Sequence, residues 1–286
     1  MNPLQEKTSS PIEERFQQEM GLSSQERQDI IEHLRPSALI IHETIRLEGE
    51  HQLRRPTSAL AWSALAAGLS MGFSLVAQGL LRANLPDQRW STIIASFGYS
   101  VGFVIVVMGR QQLFTENTLT VILPFLSQTS RAMFLQVMRL WGIVLLCNLT
   151  GAGLFAMVIG HIQVFSARVE QAFAEIGLEA LKGGGFEIFW QGIFAGWLIA
   201  LMVWLLPAAE GSQFWVIILI TSLVGLAELS HSIAGSVEVL YLVMTGGATW
   251  TQYFGQFLVP TLLGNIIGGV SLVAALNHAQ VAQYND

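Results

Sequence analysis

Charge is what this chain of 286 residues has least of: Asp, Glu, Lys and Arg make up 12% of it, about half the 25% usual in soluble domains. The little there is lies at one end. Residues 1–58 hold 7 of the 14 Lys and Arg and 10 of the 20 Asp and Glu, leaving 17 charged side chains for the remaining 228 residues. A body that apolar cannot cover itself with polar groups, so its solvent must be lipid. A net charge of −6 without a basic cluster excludes nucleic acid as the main partner. The single cysteine, Cys147, excludes a disulfide framework and a cysteine-based metal site. No metal-ligand spacing and no nucleophile constellation occur, and no cofactor is implied. Gly183-Gly184-Gly185 lacks the strand-to-helix context of a phosphate loop. The polar start, Met1-Asn2-Pro3-Leu4-Gln5-Glu6, does not read as a signal peptide.

What remains is a polytopic membrane protein. Uncharged runs of about 20 residues give six spans, 59–81, 90–109, 140–160, 188–206, 212–227 and 254–277. Residues 1–58 form a polar N-terminal helical extension, 59–280 the membrane domain, and 281–286 a short polar tail. In the extension, Ser23-Ser24-Gln25-Glu26 reads as a capping box opening a helix to about Leu34. After Pro36 a second helix is expected over 37–48, with Ile40, Ile41, Ile45 and Leu47 against Glu43, Arg46 and Glu48 on the wet side. The extension is expected to lie against the membrane domain as a cytosolic cap.

Two shorter apolar pieces, 118–126 and 239–244, each follow a long run across a polar break. The 37 residues from Trp90 to Leu126 exceed one straight span and fall short of two with a turn. An interrupted membrane helix fits that length, and irregular backbone at membrane depth survives only inside protein or along a wet cavity. Six crossings put both termini on one side. Arg46, Arg54, Arg55, Arg131 and Arg139 on that side outnumber Arg82, Arg89, Arg168 and Lys182 on the other, a weak bias towards cytoplasmic termini.

The chain also repeats itself. Gly68-Leu69-Ser70-Met71-Gly72 matches Gly192-Ile193-Phe194-Ala195-Gly196, and Gln112-Leu113-Phe114-Thr115 matches Glu228-Leu229-Ser230-His231. Asn148-Leu149-Thr150-Gly151-Ala152 matches Asn265-Ile266-Ile267-Gly268-Gly269. Three spans per half oblige the halves to enter from opposite faces. The expected fold is therefore all-α, with six transmembrane helices in two inverted three-helix repeats and helices 2 and 5 broken. In such folds the site lies where the breaks meet at mid-membrane, here with Thr115 facing His231.

His231 is the histidine deepest in an apolar region, and an intramembrane ionisable group is a functional candidate by default. It can donate, relay a proton or switch charge near neutral pH. Thr115 starts the half-helix 118–126, and the N-termini of both half-helices present N–H groups and positive dipole ends that suit anions. Glu116 and Glu238 oppose this. Either an ionised carboxylate faces the pore, or it is paired with Arg110, protonated, or turned to a subunit interface. Trp62, Trp90, Trp215 and Trp250 read as interface anchors.

The segments Leu113-Phe114-Thr115-Glu116-Asn117-Thr118, His231-Ser232-Ile233-Ala234 and Gly264-Asn265-Ile266-Ile267-Gly268-Gly269 resemble the signatures of the formate/nitrite transporter family. Asn148-Leu149-Thr150-Gly151-Ala152 and Gly192-Ile193-Phe194-Ala195 also fit. The likeness runs through about residues 58–280, and the long polar extension resembles the family's YfdC-like branch. It implies an aquaporin-like fold, homopentamers with one pore per protomer, and a bacterial inner membrane. It further implies passage, with or without a coupled proton, of small monovalent anions such as formate, nitrite, acetate, lactate or hydrosulfide. His231 would be the central histidine and Thr115 the threonine of the flexible loop. Leu113, Phe103, Ile199 and Ala234 would form the cytoplasmic constriction, and Tyr99 and Val224 the outer one. The chain departs from the pattern at Gly196 and Gly235, where the family often has Asn, and at Ser230, where it has an acid. The vestibule lysine falls at Ala180, with Lys182 nearest.

Apolar gates beside one histidine suggest a mechanism. A vestibule of positive potential gathers the anion, which gains a proton near His231 and crosses as the neutral acid, since a desolvated anion costs several kcal/mol more. The rivals are a neutral-solute or cation channel, motivated by Glu116, Glu238, Gly196 and Gly235, and a scaffold that uses the N-terminal extension without transporting. An enzyme is not expected.

Overall fold

The computed structural model describes residues 36–274; the expected helix at 23–34 and the tail at 281–286 lie outside them. Among the described residues all regular structure is helical, without strands. In chain order the helices are α1 (Ala38–Arg54), α2 (Thr57–Asn84), α3 (Arg89–Met108), α4 (Phe114–Thr120), α5 (Ile122–Ser127) and α6 (Arg131–His161). They continue with α7 (Ala167–Ala180), α8 (Gly185–Leu205), α9 (Gln213–Leu226), α10 (Ala234–Thr245) and α11 (Val259–Ile267). Wider π turns flank α11 over Gln252–Leu258 and Gly268–Ala274.

Among the described residues five helical stretches are long and apolar enough to cross a membrane: Thr57–Asn84, Arg89–Met108, Arg131–His161, Gly185–Ala208 and Gln252–Ser271. The run expected as a span at 212–227 is instead a helix of 14 residues, about 21 Å at 1.5 Å per residue. Most of the other boundaries move outward. α6 starts at Arg131 rather than 140, because Ser130 caps it by accepting from the Met133 amide at 3.1 Å. The piece expected at 118–126 starts at Phe114 and resets at Val121, and that at 239–244 spans Ala234–Thr245. Apolar counting measures the length that suits lipid, whereas caps and turns set where helices end.

α2 shows how these helices meet. Its buried residues Leu60, Ala64, Ala67, Met71 and Leu75 recur at three- and four-residue steps, one face of a helix. The face turns to α6 and α3. Gly68 sits on it where a Cβ would run into the Asn148 backbone of α6, and Gly196 of α8 likewise faces the Asn265 backbone of α11. Absent side chains let these backbones approach, the usual device of membrane helix pairs. The outer surface is apolar, with Trp62 72%, Trp215 68%, Leu146 67% and Phe186 75% exposed. A surface of that kind needs lipid or another protein chain against it.

α1 lies on the same body. It is longer than the expected 37–48, and its buried face is Ile41, His42, Ile45, Gly49 and Leu53. Ile40 and Leu47, expected on the apolar side, are 57% and 55% exposed. Helix phase explains this: 41, 45, 49 and 53 form one row, and 40 and 47 fall beside it. Gly49 rests on the Thr120 carbonyl, and Arg139 of α6 donates to the carbonyls of Leu53 and Arg55 at 3.0 Å. On the wet side Glu43 pairs with Arg46 at 2.8 Å, and that guanidinium holds its carboxyl below the usual carboxylate range.

Candidate functional site

Two non-helical segments converge in the body, between α3 and α4 and between α9 and α10. Their backbones follow one scheme at an offset of 118 positions. Arg110 and Glu228 both have positive φ, 50° and 51°, a conformation costly for side chains other than Gly. Gln111 N–H bonds the Val106 carbonyl and Leu229 N–H that of Val224. Asn117 N–H bonds Leu113, and Gly235 N–H bonds His231.

A buried asparagine braces each segment. Asn148 accepts from the Phe114 amide at 2.9 Å and donates to the carbonyls of Ala64 and Gln112 at 2.7 and 2.9 Å. Asn265 accepts from the Ser232 amide at 2.9 Å and donates to Gly192 and Ser230 at 2.9 and 3.0 Å. Buried backbone groups outside regular structure must find such partners. These bonds correct the register read from the sequence. Ala64 and Gly68 correspond to Gly192 and Gly196, not Gly68 to Gly192. Leu113 corresponds to His231, and Thr115 to Ile233.

Thr115 and His231 nevertheless meet, with Thr115 Oγ1 2.8 Å from His231 Nε2 and both side chains buried. His231 Nδ1 accepts from the Ile233 and Ala234 amides at 3.3 and 3.2 Å, so the imidazole caps α10 as an Asx side chain would. Two donors on Nδ1 leave that atom no proton; Nε2 carries it and donates to Thr115. The expected free N–H groups at the start of α10 are thus already taken, by His231 and Asn265, and the first N–H of α4 by Asn148. Phe103 stands edge-on to the imidazole at 5.0 Å between centroids, and Tyr99 follows at 5.4 Å. Leu113, Ile199 and Ala234 are buried in the same core.

Cavities open on both flanks of this cluster, and no described residue lines both. One, of about 370 Å³, is lined by Glu48 and Gln52 of α1, by Arg110 and Gln112, and by Glu116. We call it the Glu116 vestibule. Arg110 reaches Glu48 at 3.1 Å, and a side-chain chain runs from Gln52 through Gln112 to Asn117. Glu116 Oε1 has no hydrogen-bond partner among the described residues. The other, about 40 Å³, is lined by Gln78, Arg82, Tyr99, Glu179, Val224, Glu228, His231 and Glu238. This is the Glu238 chamber. It adjoins a mouth of about 560 Å³ that shares Arg82, Glu179 and Glu228 and adds Asp87, Arg168 and Glu175.

These linings overturn three expectations. Arg110 does not pair with Glu238, because the two line different cavities and Arg110 is engaged by Glu48. Lys182 is exposed and lines neither cavity; the cation of the chamber is Arg82, bound to Glu179 at 2.7 Å. An ungapped count along one helix cannot see a side chain arriving from another. Nor do the described residues form a vestibule of positive charge: the Glu116 vestibule sets Arg110 against Glu48 and Glu116, and the chamber sets Arg82 against Glu179, Glu228 and Glu238. The reading from sequence also missed Gln78, buried on α2 with Oε1 unpartnered among the described residues. Its one legible signal is an amide within an otherwise apolar run.

The family model described as Formate/nitrite transporter matches residues 40–279. The chain is 43% identical over 269 residues to the Inner membrane protein YfdC of Escherichia coli K12, covering 92% of this chain and 87% of that one. It is 28% identical to a Probable formate transporter of Methanothermobacter thermautotrophicus, over 71% of this chain and 79% of that one. Among solved structures it resembles an FNT family ion channel with a TM-score of 0.73 at 19% identity, covering 84% of this chain and 98% of that one. A pentameric formate channel with formate bound gives 0.67, also at 19% identity, over 79% and 98%. At that identity the likeness speaks for the fold.

Proposed function

The chain belongs to the formate/nitrite transporter family and is a channel or transporter rather than an enzyme. From that premise we propose that it passes small monovalent anions of weak acids, of the formate, nitrite, acetate, lactate or hydrosulfide class, through a pore in each protomer of a homopentamer. The observation that carries this reading is the buried pair of Thr115 and His231 at 2.8 Å, held where two identically braced backbone breaks converge. In this reading α3 with α4 and α9 with α10 are the broken spans of two inverted repeats, completing six crossings. The protein sits in the bacterial inner membrane with α1 on the cytoplasmic side. The domain comprises residues 59–280, the extension 1–58 and the tail 281–286. Names of relatives, an inner membrane protein and a pentameric formate channel, support the membrane and the assembly.

The pathway runs from the Glu116 vestibule past Leu113, Phe103, Ile199 and Ala234 to Thr115 and His231, and out by Tyr99, Val224 and the Glu238 chamber. An anion stripped of water in this apolar neck costs several kcal/mol, and its neutral acid far less. Thr115, which accepts from His231, keeps its own hydroxyl proton to offer a passing solute. The test is uptake of radiolabelled formate, acetate and lactate into proteoliposomes, with internal pH recorded. Expected is saturable uptake accompanied by proton entry, reduced at least tenfold by Thr115→Val. Liposomes that take up none of the panel faster than empty ones would overturn the reading. The acidic linings of both cavities favour one rival, a cation pathway. Reversal potentials under asymmetric salt, shifted towards the cation, would select it.

A further inference from the structure

The Glu238 chamber holds more polar chemistry than its walls satisfy. Glu238 is 7% exposed, lines the cavity, and hydrogen-bonds or ion-pairs with no described residue. Gln78, 4% exposed, lines the same cavity with its Oε1 unpartnered. The Tyr99 hydroxyl, on the third wall, also lacks a hydrogen-bond partner among the described residues. Arg82, which could have served Glu238, is bound to Glu179. Buried polar groups left open in this way ask for something to fill the space between them. A volume of about 40 Å³ takes roughly two or three waters or one solute of that bulk.

His231, at the inner wall, is poorly placed to supply a proton. Its Nδ1 already receives two amide N–H groups and its Nε2 proton goes to Thr115. A second proton would break the α10 cap.

We propose that Glu238, not His231, is the proton donor of the permeation pathway, and that the chamber binds the small carboxylic acid in its neutral form against Gln78. This deepens the function proposed above and rests on it. Glu238 enters the cycle protonated. An arriving carboxylate takes that proton: the O–H bond on Glu238 breaks, one forms on the solute, and the negative charge stays on Glu238. The new acid hydroxyl donates to Gln78 Oε1, which the amide turns out of its enclosed position to offer. The acid then crosses the apolar neck uncharged, and Glu238 regains a proton from water in the mouth by Arg82 and Glu179.

The groups around Glu238 fit this cycle. α2 brings Arg82, α3 brings Tyr99, α7 brings Glu179, and the segment before α10 brings Glu228 and His231. The π turn after α10 brings Tyr253, whose hydroxyl is held by Ser236 at 3.1 Å. Glu170 meets α10 through its backbone carbonyl, bonded by Tyr241. His161 of α6 ends its helix, next to Gly160, which faces Met244 and Thr245 at the far end of α10.

The full-length protein in liposomes tests the assignment through its pH profile. Wild-type uptake of labelled formate should fall less than tenfold per unit rise in external pH, because Glu238 makes the acid at the site. E238Q should fall in step with the free acid, about tenfold per unit, and E238D should restore the shallow slope. An E238Q slope equal to that of the wild type overturns this assignment and leaves the transport reading standing. A wild type that moves neither formate nor acetate ends both. Difference infrared spectra guard against a variant that fails to assemble. Adding formate to the wild type, and to E116Q, should bleach a protonated carboxyl band; no bleach in either overturns the proposal.

Discussion

The segments 109–113 and 227–231 are the same backbone carrying different chemistry. Each turns through a strained residue, Arg110 or Glu228. Each is braced by one asparagine with three hydrogen bonds, and each starts a short helix. At the position where the second carries His231, the first carries Leu113. The backbone scheme answers a demand that is identical in both halves, to satisfy exposed N–H and C=O groups away from water. The chemistry answers no such demand, so one imidazole and one hydroxyl suffice for the pair. Duplicated parts therefore report architecture, and unduplicated ones report function.

The strongest way to break the comparison is to remove a brace. Asn148→Leu and Asn265→Leu should each orphan a buried amide and a loop carbonyl, at about 1–3 kcal/mol for each group. Thermal unfolding in detergent should drop by similar amounts in both variants; a large loss in one alone would show that the halves are not equivalent. The histidine comes next. His231→Ala loses the cap on Ile233 and Ala234, about 0.5–2 kcal/mol, together with the Thr115 contact. His231→Asn should recover most of the stability, because its carbonyl can accept from the same amides, without recovering wild-type transport. Equal melting of the two variants would remove the cap from the account. The smallest effect concerns the strained pair. Glu228→Gly should relieve about 1 kcal/mol of left-handed strain, partly offset by the added freedom of the unfolded chain. Arg110→Gly should gain less, because it also gives up the exposed pair with Glu48, worth about 0–1 kcal/mol. Melting temperatures in the opposite order would sink the ranking.

Much of the candidate site is legible in the sequence. The breaks show as polar interruptions in apolar runs, and His231 stands out because a buried imidazole is rare. The register was misread by two residues, since matching Gln112-Leu113-Phe114-Thr115 with Glu228-Leu229-Ser230-His231 aligns side chains. The equivalence resides in amide and carbonyl groups that every residue has. Thr115 meets His231 although the two are not counterparts. The chamber was missed for a different reason: Gln78, Arg82, Tyr99, Glu179 and Glu238 come from four helices, and nothing in the spacing of one run announces the others.

By itself the sequence determined the apolar body, the helical class, the two polar interruptions of its apolar runs and the residues worth watching. Each of these follows from local composition and from the cost of burying polar groups. The tertiary structure alone decided which side chain braces which amide and carbonyl, that Arg82 and not Lys182 serves the chamber, and that Glu238 stands without a partner among the described residues. Those outcomes depend on distances between distant segments, and only packing sets them.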